Sequence, residues 1–464
     1  MGKKNICDYC SRIVIAVCIL FMTYIIIGFI TKNICYDVLG MTNPFVCFFI
    51  GDDLTEENAD TTIVKVEIDW QALYPFKETE NISMENETVS NVKKYLELTE
   101  TIEAKIDYYV NNALPKKGVM LEISSILNKI VLGHGVQLSE NQSNLLYMKN
   151  GYLTYIWPEV SLEDIEEIAD SLADFNHYLA EKEIPFLYVN AGSKVCPSDR
   201  QLNNEAVEYT NENGDALQTA LTERNVRYID FRKEMLNAGL DWYNAYYKTD
   251  LHWTTQTGLW ASKIIAETLN REYGYSFDVH LFELSAWQQI SFKDFWIGGQ
   301  GRKDNFFNSD VEEYTLLLPQ FKTDLSIWIP TRALNLRGEY ADTMVDLSLL
   351  NRIKSYSKED MLSKPDAYST SQLRNAALTT ITNHLSTNNK GKKILFIQDS
   401  FGWYSTSFLA TDISQIDVIY PMSFNGSIRT YIEESKPDMV VMMYCEHQIG
   451  EIDWTTHLDE YDLR

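Results

Sequence analysis

Hydrophobic and polar positions change rhythm several times along this chain. Residues 13–30, IVIAVCILFMTYIIIGFI, carry no charge and are long enough for a bilayer-crossing helix. The apolar run PFVCFFI at 44–50 is too short to span and reads as an interfacial or packed segment. Residues 51–85 are acidic and aperiodic, as a juxtamembrane spacer would be. The stretch VSNVKKYLELTETIEAKIDYYVNNAL then takes up a helical period that ends near Pro115, which predicts a stalk.

From about residue 145 apolar strands alternate with amphipathic helices, the pattern of an α/β fold with a parallel sheet and helical crossovers. Ser161, with Glu163 and Asp164 in the first turn, opens the helix SLEDIEEIADSLADFNHYLAEKE, and the buried-strand run IPFLYVNAG follows. DALQTALTERN and VRYIDF repeat that step, and GLWASKIIAETLNREYG is amphipathic again. Residues 275–345 break the rhythm and read as an insertion or a loop-rich lid. KKILFIQDSFGWYSTSFL and KPDMVVMMYCEHQIG then restore strand, turn and helix signals. The expected division is a tail at 1–11, an anchor at 12–31, a spacer and stalk at 32–144, and an α/β domain at 145–464 containing the insertion.

Composition narrows the class. With 45% hydrophobic residues, 10 Trp, 28 Tyr and 20 Phe among 464 residues, the chain can fill a large core. A formal charge of −26 repels phosphate backbones, so no nucleic-acid partner is expected. Lys3, Lys4 and Arg12 precede the long apolar run, which puts the N-terminus in the cytoplasm and the bulk of the chain outside a cell membrane crossed once. A cleavable signal peptide is the rival reading, but GFITKNICYD offers no small-x-small cleavage site. The seven cysteines indicate no disulfide scaffold. Cys7 and Cys10 form a CxxC without a second pair or a nearby histidine, which fits a lipidation site as well as a metal. Sequons at Asn81, Asn86, Asn141 and Asn425 matter only in a glycosylating pathway. The seven histidines show no metal-ligand spacing, and no phosphate-binding loop or dinucleotide fingerprint is present, so neither metal nor cofactor is expected.

The chemistry gathers around two short segments. In TDLHWT, Asp250 and His252 are two residues apart; if the segment is extended, both side chains point the same way, and the carboxylate reaches Nδ1 while Leu251 turns into the core. Nε2 is then free to activate a hydroxyl. In ILFIQDSFGW, Ser400 follows a buried strand, at the sheet end where ligands of α/β folds gather, and YSTSFLA is expected to begin a helix. Backbone N–H groups around Ser400 and Phe401 would face a developing oxyanion, and Gly402 would let the backbone come close. A serine, a base and an acid orienting that base make a nucleophile.

Competing readings stand beside this one. Asp250 and His252 could be a buried histidine satisfied by a neighbouring acid, and Ser400 a simple N-cap. Glu446 and His447, after the strand MVVMMY, are an alternative acid and base, or merely solvated. Gly298, Gly299 and Gly301 offer oxyanion donors, a close backbone approach, or only a turn. Trp253 reads as core, Lys194 as structural, and Asp399 as binding backbone in its turn. Trp403 and Tyr404 fit either a sugar-stacking surface or burial.

TDLHWT followed far downstream by IQDSFG resembles the DHHW proteins and the alginate O-acetylation proteins of the SGNH-hydrolase-like group, over roughly residues 145–450. The resemblance implies Ser400 as nucleophile, His252 as base and Asp250 as orienting acid, with the acid and histidine preceding the serine as in that family. It also implies an SGNH-hydrolase-like fold and acyl transfer, most simply of acetyl, to hydroxyls of an extracellular polysaccharide. A membrane-bound O-acyltransferase would deliver the acyl group. Two positions depart from the pattern: Leu251 stands where the signature has its first histidine, and Gln398 where a glycine often precedes the Asp-Ser pair. A carbohydrate acetylesterase would use the same three residues, and a non-catalytic polysaccharide-binding or scaffold protein would keep only the fold.

Overall fold

A computed structural model describes residues 145–451 apart from 203–205, 305–309, 364–367 and 369–375, together with Thr23 and Ile27. The expected tail and the bulk of the anchor, spacer and stalk lie outside the described residues, as do Cys7, Cys10 and the sequons at Asn81, Asn86 and Asn141. Among the described residues, no helix is long and apolar enough to cross a membrane.

The chain first makes a small hairpin, β1 (Leu145–Tyr147) and β2 (Leu153–Tyr155), and then enters alternating helices and strands. Helix α1 (Leu162–Glu181) is opened by Ser161, whose Oγ accepts the Asp164 N–H at 3.1 Å, and its face Ile165, Ile168, Leu172, Phe175 and Leu179 is buried. It leads to β3 (Phe186–Asn190), α2 (Thr210–Glu223), β4 (Tyr228–Asp230), α3 (Phe231–Asn237) and α4 (Thr255–Tyr273). Next come β5 (Trp287–Trp296), α5 (Gly299–Asp304), β6 (Glu312–Pro319), β7 (Leu325–Ile329) and β8 (Leu334–Gly338). After short helical pieces the chain forms β9 (Leu378–Asn383), β10 (Lys393–Gln398), α6 (Gly402–Leu409), β11 (Gln415–Ile419), α7 (Ile428–Ser435) and β12 (Met439–Tyr444).

Eight strands form one sheet in the order β4-β3-β12-β10-β11-β9-β7-β8. Neighbours from β4 to β11 pair in parallel, with Ile397 beside Ile419 and Met442, and Asn190 beside Tyr444 and Asp230. This parallel part is buried on both faces, which is why its strands read as unbroken apolar runs. Ile394 and Phe396 of β10 enter one core, with Met439, Val441 and Met443 of β12; Leu395 and Ile397 enter the other, with Val440 and Met442.

The expectation of a parallel sheet needs correcting at one edge. β9, β7 and β8 add antiparallel strands, so the sheet is mixed. Residues 275–345 are also no loop-rich lid: they supply β7 and β8 to the main sheet and the separate hairpin β5–β6, irregular between Phe292 and Trp296.

Candidate active site

Parallel strands end together, so the residues just past β10, β12, β3 and β4 share one edge of the sheet. Ser400 lies just past β10. His252 comes to it from a tight bend that begins and ends in an antiparallel bridge between Tyr246 and Trp253, closed by hydrogen bonds from the Tyr247 N–H to the His252 carbonyl (3.1 Å) and the Thr254 N–H to the Ala245 carbonyl (2.8 Å). The expected extended segment is therefore a bend. Asp250 and His252 are brought together instead because Asp250 Oδ1 accepts the His252 backbone N–H at 3.0 Å, a local side-chain-to-backbone turn.

The same Oδ1 lies 2.5 Å from His252 Nδ1, and His252 Nε2 lies 2.7 Å from Ser400 Oγ. These two contacts fix the tautomer: with a proton on Nδ1 facing the carboxylate, Nε2 presents a lone pair to the serine hydroxyl. Asp250 is 1% exposed, yet its carboxyl is held well below the usual carboxylate range. Burial raises it, but the His252 ring and the N–H groups of Gly299 and His252 outweigh that. Ser400 is not an N-cap: α6 starts after Phe401, with no side-chain capping bond.

The glycines at 298, 299 and 301 serve the acid rather than an oxyanion, which corrects that expectation. The Gly299 N–H donates to Asp250 Oδ2 at 2.7 Å, the Gly298 N–H to Thr249 Oγ1 at 2.9 Å, and the Gly301 N–H to the Thr249 carbonyl at 2.7 Å. A Cβ at Gly298 would lie 2.4 Å from Asp250 Cβ and 2.6 Å from the Thr249 carbonyl, so only glycine lets the strand end pass this close. Glu312, on β6, ties the bend from the other side. Its carboxylate accepts the N–H groups of Lys248 (2.5 Å) and Thr249 (2.6 Å) and the Thr249 hydroxyl.

Phe401 and Gly402 are likewise not oxyanion donors. The Phe401 N–H is committed to Asp399 Oδ1 at 2.8 Å and the Gly402 N–H to the Asp399 carbonyl at 3.3 Å. Glycine at 402 makes room for Gln398, whose Oε1 would lie 2.4 Å from an added Cβ. Among the described residues no acceptor is found for the Ser400 N–H, which makes it the donor best placed for an oxyanion on an acyl group attached to its own Oγ. Asp399 binds backbone as expected, its Oδ2 also accepting the Cys445 N–H at 2.7 Å, and so ties the serine turn to the end of β12.

The remaining candidates are structural or remote from the hydroxyl. Glu446 is fully buried and pairs with Arg232 at 2.8 Å, not with His447 or Ser400; burial pushes its carboxyl up to about 8 against the pull of Arg232. His447 is half-buried and stacks on Trp157, with ring centroids 5.4 Å apart. Burial, and secondarily His252, push its imidazole down to about 3, so the ring is neutral. Neither is a solvated surface group, and the alternative acid–base pair is not formed. Lys194 is structural, buried with its Nζ donating to the Leu153 carbonyl (2.7 Å) and Gln300 Oε1 (2.8 Å); burial brings it down to about 7. Trp253 is core, as expected. Trp403 and Tyr404 are buried within α6 and offer no sugar-stacking surface. Among the described residues no group of histidine, cysteine and acidic side chains could hold a metal ion.

Sequence reasoning missed Tyr368. Its ring stacks on His252 with centroids 3.8 Å apart and planes 13° from parallel, and its hydroxyl donates to the Ser400 carbonyl at 3.0 Å. A lone tyrosine 116 residues from the histidine has no spacing that could announce this.

Comparison with known proteins agrees with the resemblance seen in the two motifs. Residues 152–286, the part that carries Asp250 and His252, match the family model of the SGNH hydrolase-like domain of acetyltransferase AlgX. Bacillus cereus PatB1, solved with a sulfonyl adduct, superposes with a TM-score of 0.53 at 15% identity, over 68% of this chain and 98% of that one. A DHHW family protein from Eubacterium siraeum does so with a TM-score of 0.51 at 14% identity, over 70% and 98%. No curated protein matches the sequence.

Proposed function

We propose that residues 145–464 form an acyltransferase domain that carries an acyl group, most simply acetyl, on Ser400 and passes it to a hydroxyl of an extracellular polysaccharide. The observation that carries this reading is the unbroken relay from Asp250 to His252 Nδ1 and from Nε2 to Ser400 Oγ, at 2.5 and 2.7 Å. As Oγ attacks the acyl carbonyl, Nε2 takes the hydroxyl proton; Asp250 holds the resulting imidazolium; and the Ser400 N–H meets the oxyanion. Collapse expels the donor's leaving group with the proton from Nε2. His252 then deprotonates a sugar hydroxyl, which attacks the ester and restores the serine.

The uncharged run 13–30 supports an anchor at 12–31, behind a tail at 1–11 and ahead of a spacer and stalk at 32–144, holding the domain outside the membrane beside an O-acyltransferase that supplies the acyl group. With a chromogenic acetyl ester as donor and a soluble oligosaccharide as acceptor, mass spectrometry should find the acetylated sugar. Free acetate as the only product would favour the esterase reading. No turnover by a folded protein would favour a binding or scaffold role.

A further inference from the structure

We infer that Tyr368 is a positioning residue with two separable actions: its ring face steadies the positive charge that His252 acquires, and its hydroxyl holds the backbone of the serine turn. The inference rests on the reading of His252 as the base of Ser400.

The geometry sets the two actions apart. The Tyr368 ring lies flat on the imidazole, 3.8 Å between centroids. The face of an aromatic ring is its electron-rich side, so it attracts a cation at this range and is nearly indifferent to a neutral ring. When Oγ loses its proton to Nε2, the imidazole becomes that cation. The ring therefore acts on the protonated state and not on the resting one, as a group assisting the chemical step must.

The surroundings of His252 leave this face a distinct part. Asp250 meets the ring edge at Nδ1, and Ser400 meets it at Nε2. Phe401 is tilted against it at 5.0 Å, and beyond Phe401 lies His447, a neutral ring 6.0 Å from the Phe401 centroid. Of these groups only Asp250 carries charge, and it acts in the ring plane. Tyr368 itself is held by Tyr404, whose ring meets it edge-on at 4.6 Å, and it is 1% exposed, so water does not screen the contact. Its hydroxyl reaches a different atom, the Ser400 carbonyl, at 3.0 Å.

The test is the pH dependence of the second-order rate at which a fluorophosphonate labels Ser400 in the full chain, which needs the serine and its base but no sugar or donor. Tyr368→Phe keeps the face and removes the hydroxyl: the acid limb of the profile should stay in place while the plateau rate falls about two- to tenfold. Pentafluorophenylalanine at position 368 nearly keeps the shape but inverts the face: the acid limb should move down by about half a unit to one unit, because the protonated ring has lost its support. Coincident acid limbs in the wild type and both variants would overturn the inference and leave Tyr368 as packing. A wild type that does not label at all would overturn the reading of His252 as base, a separate failure.

Discussion

Two clusters of acid and base sit along the same edge of the sheet, and they are built from similar parts to opposite effect. Past β3, β4 and β12, Arg232 is buried among Asp230, at 3.1 Å, and Glu446, at 2.8 Å, and also reaches Asp215 at 2.9 Å and the Asn211 carbonyl at 2.7 Å. Past β10, Asp250 faces His252. The first cluster closes on itself: a guanidinium stays charged at any working pH and has no lone pair to accept a proton. The second is open at one atom, because an imidazole fixed at Nδ1 still has Nε2 to offer, and that atom meets Ser400. Burial alone therefore does not make a reactive site; a group that can change its protonation state beside a nucleophile does.

That contrast can be broken at either cluster. The largest effect is expected at the base: His252→Ala should lower turnover of a chromogenic acetyl ester by roughly 10⁴-fold or more, because the hydroxyl loses its proton acceptor. Asp250→Asn should follow with a loss of up to about 10⁴-fold, since an amide at this position favours the wrong tautomer. Both are read from kcat with circular dichroism confirming the fold. Glu312→Gln tests whether the hairpin β5–β6 belongs to the site. It weakens the clamp on the 248–249 backbone without emptying the space, and kcat should fall about tenfold with KM little changed. An unchanged kcat would make the hairpin mere covering.

The smallest effect on activity is expected at Glu446, where Glu446→Gln should leave kcat within about threefold of wild type and change the stability profile instead. Its carboxyl is raised in the folded protein to about 8, against an ordinary 4.5, so the unfolded chain releases this proton first. The stability it contributes is full below about 4.5 and is lost as pH rises through about 8. In the glutamine variant that decline should flatten, as thermal midpoints between pH 5 and 8 would record.

The parallel half of the sheet was legible in the chain because strands buried on both faces must be apolar throughout, as ILFI and MVVMMY are. The pairing of Asp250 with His252 was legible because it is local. The antiparallel edge was not: β7 and β9 pair through Ser326 and Thr382, far apart in sequence, and both strands are short, at five and six residues. The supports of the site were hidden for the same reason. Glu312 reaches residues 248 and 249 from 64 and 63 positions away, and the need for glycine at 298 arises only because Asp250 passes beneath it. Gly402 makes room for Gln398, four residues earlier, a fit visible only once the turn is folded.

The central claim is that Ser400 is made nucleophilic by His252. Labelling with a fluorophosphonate or a sulfonyl fluoride, followed by peptide mass mapping, tests it directly. One adduct on Ser400 in the wild type, none in Ser400→Ala and a strongly slowed reaction in His252→Ala is the predicted result. Equal labelling of all three folded proteins, or an adduct on another residue, would contradict it.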